Sequence, residues 1–257
     1  MNFQTKCFQK SEGIYLITIK NLCKSYKGTI ALNNINLEIR DGEIFALLGT
    51  NGAGKTTLIK ILSTLILPTS GTVRINNYDI LRDPQKIKRL LNISPQENAV
   101  AENLTVKENL EFMAGVYNIE NKDERIKTLI KEFSLDEVLN KKAKKLSGGW
   151  KRKLSIAISL INSPKILFLD EPTLGLDVIA RQELWRIINK IKSNTTIILT
   201  THYMEEAEKL SDRVGIINKG NLMCVGTTSY IIEKTNTKNF EDAFISIVTG
   251  GDTYGNS

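Results

Sequence analysis

The segment Leu146-Ser147-Gly148-Gly149 constrains the fold of this chain more than any other, because it pairs a Ser-Gly-Gly turn with the start of a helical segment. Backbone N–H groups at a helix start can bind a phosphate. A second glycine turn, at residues 49–57, follows an apolar segment upstream. One fold cannot easily aim both turns at the same nucleotide, so the sequence predicts that they make two separate phosphate contacts.

Composition narrows the class of protein. A chain of 257 residues can bury one substantial core. The net charge of +7 raises the question of nucleic acid or anionic lipid as a partner. The densest basic run, residues 141–145, has no interleaved aromatic side chains on which bases could stack, so we expect no nucleic-acid partner. Three cysteines without a pattern fit a reducing cytosol.

Hydropathy predicts no membrane-spanning segment. No apolar run approaches the roughly 18 residues needed to cross a bilayer. If the protein works at a membrane, we expect a partner to supply the span. The amino-terminal stretch has no apolar segment of the kind found in secretory signals, so we interpret residues 1–13 as a flexible extension.

The first quarter of the chain has strand patterns. Residues 17–20 and 35–39 alternate apolar and polar side chains, which predicts half-buried strands. Asp41-Gly42 is a turn signal, so we expect antiparallel hairpins here. A continuous apolar strand, residues 43–48, then leads into the glycine turn, and a helix over 55–65 is expected to end near Pro68.

The rest of the chain changes pattern twice. From residue 98 to 143 the apolar period is helical and no convincing strand is present. Strand and helix then alternate, which favours a parallel sheet covered by helices. The segments expected are strands at 165–169, 196–200 and 214–217 and helices at 178–191 and 204–210.

The upstream glycine turn matches the pattern of a phosphate-binding loop, with a strand before it and a helix after it. Glycines let backbone N–H groups turn inward, and the helix start adds partial positive charge. The residues expected to bind ATP are Gly49, Thr50, Asn51, Gly52, Ala53, Gly54, Lys55, Thr56 and Thr57. We expect Lys55 to neutralise the β- and γ-phosphates, Thr56 to ligate Mg²⁺ and Thr57 to contact the α-phosphate.

The apolar strand before Glu171 predicts the second half of the site. A buried parallel strand would deliver Asp170 to its carboxyl end, where the carboxylate can hold Mg²⁺ through water. Glu171 follows one position later and faces differently, so it can polarise an attacking water.

These motifs, in this order, resemble the ATP-binding subunit of ABC transporters over roughly residues 17–226. The resemblance implies that Ser147, Gly148 and Gly149 contact the ATP of a second subunit. It also implies roles for four single residues: a γ-phosphate contact for His202, a sensor of Mg²⁺ and water for Gln96, a subunit-interface position for Asp177 and an adenine stack for Tyr26. The signature departs from the family's Leu-Ser-Gly-Gly-Gln at Trp150.

The resemblance implies an α/β fold, with a P-loop NTPase core built on a parallel sheet, an antiparallel β edge subdomain and an inserted all-helical signature subdomain. An ABC ATPase domain is expected over residues 14–248. Its predicted parts are a core at 14–97 and 156–226, a helical subdomain at 98–155 and a helical tail at 227–248, with flexible ends at 1–13 and 249–257.

The resemblance also implies an ATPase with ATP and Mg²⁺ as ligands, a second ATP-binding subunit as partner (a homodimer) and an integral membrane permease at the cytoplasmic face of the membrane. The acidic-aromatic segment 239–247 resembles that of drug-exporter cassettes that pair with a separate permease, which favours export. The alternative for this segment is a simple amphipathic terminal helix. An importer subunit, or a soluble ABC ATPase acting on ribosomes or DNA, stays open as an alternative function.

Overall fold

The computed structural model describes residues 7–9 and 15–250, which form two compact units. The first unit comprises the described residues up to Lys88 and those from Ile198 onward, and the second comprises Arg89–Ile197. The second unit is larger than the helical segment predicted at 98–155, because it also contains two strands and a further helix. In the described part of the chain, no helix is both long enough and apolar enough to cross a membrane.

An antiparallel sheet forms one half of the first unit. Its four strands are ordered β3-β2-β5-β6. They are β2 (Tyr15–Tyr26), β3 (Thr29–Arg40), β5 (Ser70–Ile75) and β6 (Tyr78–Asp79). Over residues 17–20 of β2 and 35–39 of β3, buried apolar residues alternate with more exposed ones, as the sequence predicts for strands buried on one face.

The antiparallel hairpin is confirmed, but its turn is not at Asp41-Gly42. Strands β2 and β3 are joined by Lys27 and Gly28, whose φ angles of 42° and 87° suit a tight hairpin turn. Asp41-Gly42 instead follows β3 and leads to the strand before the glycine turn. The prediction failed because a turn dipeptide marks where the chain bends and does not specify which strands pair.

In a second sheet, four neighbouring strands of the first unit follow the order β1-β11-β10-β4. Its strands are β1 (Cys7–Phe8), β11 (Asn221–Gly226), β10 (Arg213–Asn218) and β4 (Ile44–Leu48). The β1/β11 and β10/β4 pairs are parallel and β10/β11 is antiparallel. The interpretation of residues 1–13 as a flexible extension is therefore wrong for Cys7 and Phe8, which pair with β11.

Five helices belong to the first unit. They are α1 (Lys55–Leu62), α2 (Pro84–Lys88), α7 (Met204–Leu210), α8 (Thr228–Thr235) and α9 (Phe240–Thr249). Helix α1 ends before the predicted residue 65, because Thr64 adopts the left-handed conformation, with φ of 63°. Helix α9 includes Thr249 and is capped by Gly250, so the flexible end predicted from 249 does not hold for these two residues; residues 251–257 lie outside the described residues.

The second unit combines a short parallel strand pair with four helices. Its elements are β7 (Leu91–Ser94), β8 (Ile166–Asp170), α3 (Val106–Val116), α4 (Lys122–Phe133), α5 (Gly148–Ser159) and α6 (Val178–Ile191). Strand β9 (Thr196–Thr201) runs across the division between the units. Every residue of β8 is buried, which explains its continuous apolar sequence. The predicted mixed α/β fold, with parallel and antiparallel sheet, is confirmed.

Candidate active site

The glycine turn of the first unit requires glycine at two positions. A Cβ on Gly49 would lie 2.4 Å from the carbonyl oxygen of Ile217. Gly54 has a φ of 111°, and a Cβ there would lie 2.7 Å from the carbonyl oxygen of Ala31. The backbone N–H of Gly220 donates to the carbonyl of Ala53 at 2.9 Å, which anchors the turn to the β10–β11 connection.

The start of α1 is prepared for an anion. Gly54, the N-cap residue, provides no side-chain cap, so the first backbone N–H groups of α1 are not covered by a capping side chain. The buried Lys55 donates through Nζ to the carbonyls of Gly49 at 2.8 Å and Thr50 at 3.2 Å. Thr56 is exposed and Thr57 half-buried. Backbone N–H groups, an ammonium group and two hydroxyls therefore converge on one turn, which is the chemistry of a phosphate site.

Two other predicted residues belong to the first unit. Tyr26 lies at the end of β2 with an exposed side chain, and the Nζ of Lys24 lies 4.8 Å from its ring centroid. His202 directly follows β9, is half-buried and lies beside Tyr203, with 4.1 Å between ring centroids. Their roles toward adenine and the γ-phosphate stay predictions.

The acidic pair of the second unit lies at the carboxyl end of β8. Asp170 is the last residue of the strand and is buried. Glu171 leaves the strand in the left-handed region, with φ of 46°. This conformation is costly for a residue with a side chain, and it persists where surrounding contacts hold it. The regular alternation of side chains along β8 therefore ends at Asp170.

The signature turn opens α5 in the second unit. Ser147 is the N-cap residue, is exposed and makes no side-chain cap hydrogen bond. Gly149 packs closely on Ala180 of α6, since a Cβ on Gly149 would lie 3.1 Å from that of Ala180. Asp177 caps α6 by accepting from the N–H of Ala180 at 2.9 Å. The structure therefore brings the signature turn and the Asp177 turn next to each other.

Trp150 makes a cation–π contact with a neighbouring lysine. The Nζ of Lys153 lies 4.4 Å from the centroid of its ring and donates to Glu183 of α6 at 2.7 Å. The residue that departs from the family's signature therefore contacts a lysine that also links α5 to α6.

Sequence reasoning missed Arg152, a buried arginine on α5 that contacts backbone next to both Gln96 and Glu171. Its place in the basic run Lys151-Arg152-Lys153 gave it the appearance of a surface residue. No sequence signal marks its burial, but the structure shows that this face of α5 is covered: Ser155, one helical turn later, meets the buried Ser94, with 3.3 Å between hydroxyl oxygens. Gln96 itself is exposed just beyond β7.

The oxygen donors on these turns suit a hard cation. Within residues 7–9 and 15–250, no cluster of three or more His, Cys, Asp or Glu side chains is placed to hold a metal ion. Thr56, Asp170 and Gln96 offer hydroxyl, carboxylate and amide oxygens. Each of these oxygen types suits Mg²⁺, which is often held by one or two protein groups together with substrate phosphates.

Comparison with known proteins places these motifs in a family. The sequence profile described as ABC transporter matches residues 32–174, more than half of the chain. The human "Phospholipid-transporting ATPase ABCA3" is 41% identical over 224 residues, which cover 85% of this chain and 13% of that protein. This chain therefore spans only a small part of that relative.

Two solved structures share the fold at somewhat lower identity. A protein described as the ATP-binding subunit of an ABC transporter has a TM-score of 0.81 and 29% identity, with 90% of this chain and 99% of that chain covered. A dimeric ATP-binding cassette, described as a post-hydrolysis state bound to ADP and Pi, has a TM-score of 0.73 and 28% identity, with 82% and 98% covered.

Proposed function

This chain belongs to the ABC transporter family and is an ATPase of that family, and on this premise we propose that it hydrolyses ATP between two such cassettes to drive transport through a membrane permease. The single observation that carries the two-cassette arrangement is the exposed Ser147 at the start of α5, whose hydroxyl makes no cap hydrogen bond. That hydroxyl, the Gly149 amide and the α5 N-terminus form a second phosphate-binding turn in one chain.

In this proposal, the first unit supplies the direct contacts with the nucleotide. The amides of the glycine turn and the ammonium of Lys55 bind the β- and γ-phosphates, and the Tyr26 ring stacks on adenine. On binding, the phosphate oxygens take over Lys55 Nζ from the carbonyls of Gly49 and Thr50. Thr56, Asp170 and Gln96 would hold Mg²⁺, which supplies positive charge to the phosphates when bound.

Hydrolysis falls to Glu171 and His202. The Glu171 carboxylate accepts a hydrogen bond from the attacking water and raises the electron density on its oxygen. The imidazole of His202 donates to the γ-phosphate, where charge is redistributed as the terminal P–O bond breaks. Loss of the γ-phosphate removes the link between the two cassettes, so the pair opens.

The direction of transport is a finer part of the proposal. The acidic-aromatic α9 favours export. The similarity to a protein named as a phospholipid-transporting ATPase favours a lipid cargo and does not specify a direction. That relative is an ABCA protein, so the expected drug-exporter type has no specific support from it. We assign an amphiphilic, lipid-like cargo as the first class to test, with drugs as the second. The proposed permease lies in the membrane, and this cassette binds it at the cytoplasmic face.

The experiment is affinity purification of tagged Glu171→Gln protein from detergent-solubilised native membranes in the presence of ATP, followed by mass spectrometry. This variant should trap the ATP-bound pair with its partner. The matched control carries Lys55→Ala in addition, which removes the ammonium needed for ATP. We expect a polytopic membrane protein that is enriched with the single variant and reduced with the double variant.

The identity of the partner then decides the direction of transport and the class of cargo. A permease that moves a fluorescent phospholipid across reconstituted vesicles, only with ATP and this cassette, supports lipid export. A permease with an attached substrate-binding protein indicates an importer. Recovery of ribosomes or nucleic acid without any membrane protein would contradict the transport proposal and leave the soluble ABC ATPase class.

A further inference from the structure

Arg152 is a charged side chain in the interior of the second unit. It lies in the second turn of α5 and is 3% exposed. A guanidinium group removed from water must find acceptors, because an unpaired buried charge is strongly unfavourable. Its planar fork can bind several oxygens at fixed angles, which an ammonium group cannot do.

Two of its hydrogen bonds bracket Glu171. Arg152 Nη2 donates to the carbonyl of Asp170 at 2.9 Å, and Nε donates to the carbonyl of Pro172 at 2.8 Å. One rigid group therefore grips the backbone immediately before and immediately after Glu171. Because Glu171 has the unfavourable φ of 46°, the two bonds oppose relaxation of the chain at this residue.

The third edge of the same guanidinium reaches the segment of Gln96. Arg152 Nη1 donates to the carbonyl of Pro95 and lies 3.5 Å from that of Gln96. The Ser155–Ser94 hydroxyl contact, one helical turn later, places α5 against the same segment. Arg152 thus joins α5, the Gln96 segment and the Glu171 turn within one unit.

We propose that Arg152 is a positioning residue for ATP hydrolysis: it holds the backbone of Glu171, and with it the direction of the carboxylate, while it ties the Gln96 segment to the helix that begins with the signature turn. This inference depends on the proposed roles of Glu171 and Gln96. It gives the signature helix a direct mechanical connection to the hydrolytic residue of the same chain.

Arg125 offers a matched control, because it is also an arginine that binds backbone carbonyls. It is partly buried, and its guanidinium donates through Nε to the carbonyl of Ile161 at 3.2 Å and through Nη2 to that of Leu160. Both acceptors lie at the carboxyl end of α5 and not beside Gln96 or Glu171. Arg125→Lys therefore removes a comparable fork without touching the proposed site.

The test compares Arg152→Lys with Arg125→Lys for melting temperature, ATP affinity and turnover at saturating ATP. We expect Arg152→Lys to lower kcat by about tenfold or more, since misplacement by 1 Å can cost on the order of 10² in rate. KM for ATP should stay within about twofold, because the glycine turn is untouched. Arg125→Lys should keep kcat within about twofold of the wild-type value, even if its melting temperature falls by as much as that of Arg152→Lys.

A double variant separates positioning from general destabilisation. If Arg152 acts through Glu171, Arg152→Lys should add less than about twofold to the loss already caused by Glu171→Gln, because residues that act as a unit are not additive. If Arg152→Lys does not purify as a folded protein, Arg152→Gln replaces it, since the amide can keep one carbonyl contact.

Four outcomes are decisive. Wild-type kcat in Arg152→Lys, with Glu171→Gln inactive, would overturn this inference and leave the proposed function intact. Equal kcat losses in Arg152→Lys and Arg125→Lys, or fully additive losses in the double variant, would also overturn it. Wild-type turnover in Glu171→Gln would instead remove the proposed hydrolytic role itself.

Discussion

Gly149 of the signature turn lies against Ala180 of α6, so that a methyl group on Gly149 would lie 3.1 Å from the Cβ of Ala180. That separation is below ordinary van der Waals contact between carbon atoms. The N–H of Ala180 is also the donor to the capping carboxylate of Asp177. One alanine therefore connects the two turns proposed to face a second cassette.

This contact predicts the effect of adding a methyl group. Gly149→Ala should displace the start of α5 by a few tenths of an ångström and lower ATP turnover by about tenfold. The compensating change Ala180→Gly, at a cost of about 1 kcal/mol for glycine in a helix, should restore most of the turnover. Steady-state ATPase rates of the single and double variants check this. If Ala180→Gly fails to restore turnover, the methyl group on residue 149 interferes with nucleotide binding, and its contact with α6 is not the cause of the loss.

Lys55 tests the phosphate assignment. Lys55→Ala removes a charged hydrogen-bond donor. One hydrogen bond to a charged group contributes about 1.5–3 kcal/mol, so ATP affinity should fall by roughly 10–100-fold. The exposed Lys60 on the same helix gives the control, because Lys60→Ala removes equal charge away from the turn. Equilibrium titration with a fluorescent ATP analogue measures both. Equal affinities of the two variants would contradict the assignment.

Folding should protect the Cys224 thiol from alkylation, and this protection should depend on pH. Burial in β11, beside Cys7 of β1, raises the pKa of the Cys224 thiol well above its usual range. The thiolate is the reactive form, so at about pH 8 the raised pKa keeps this thiol protonated and unreactive. Peptide mapping after iodoacetamide treatment should find Cys224 unmodified in the native protein and modified in denaturant. Alkylation at the denatured rate in the native protein would show that the β1–β11 pairing does not protect it.

The sequence predicts well the features that depend on neighbouring residues. The glycine turn is recognisable because Gly52 and Gly54 adopt positive φ angles of 76° and 111°, which local backbone geometry permits most readily for glycine. The strand predicted at 165–169 is present as Ile166–Asp170, because a fully buried strand needs an unbroken apolar run. Helix α6 has the predicted bounds, and Asp177 caps it.

Other features depend on contacts between distant segments, and the sequence does not reveal them. Cys7 and Phe8 form a strand because β11 offers them an edge more than two hundred residues later in the chain. Arg152 is buried because carbonyls of Pro95, Asp170 and Pro172 surround its guanidinium group. Nothing in the local run of basic residues distinguishes it from Lys151, which remains partly exposed and pairs with Glu102.

The turnover of Glu171→Gln tests the central claim most directly. The substitution keeps the size and the backbone of the side chain but removes the charge that polarises water, so kcat should fall by roughly 10²–10⁴-fold while ATP affinity is retained. Glu233→Gln, an exposed change on α8, is the control and should leave turnover unchanged. Retained ATP binding with lost hydrolysis is the result that the account predicts. Wild-type hydrolysis in Glu171→Gln would contradict it.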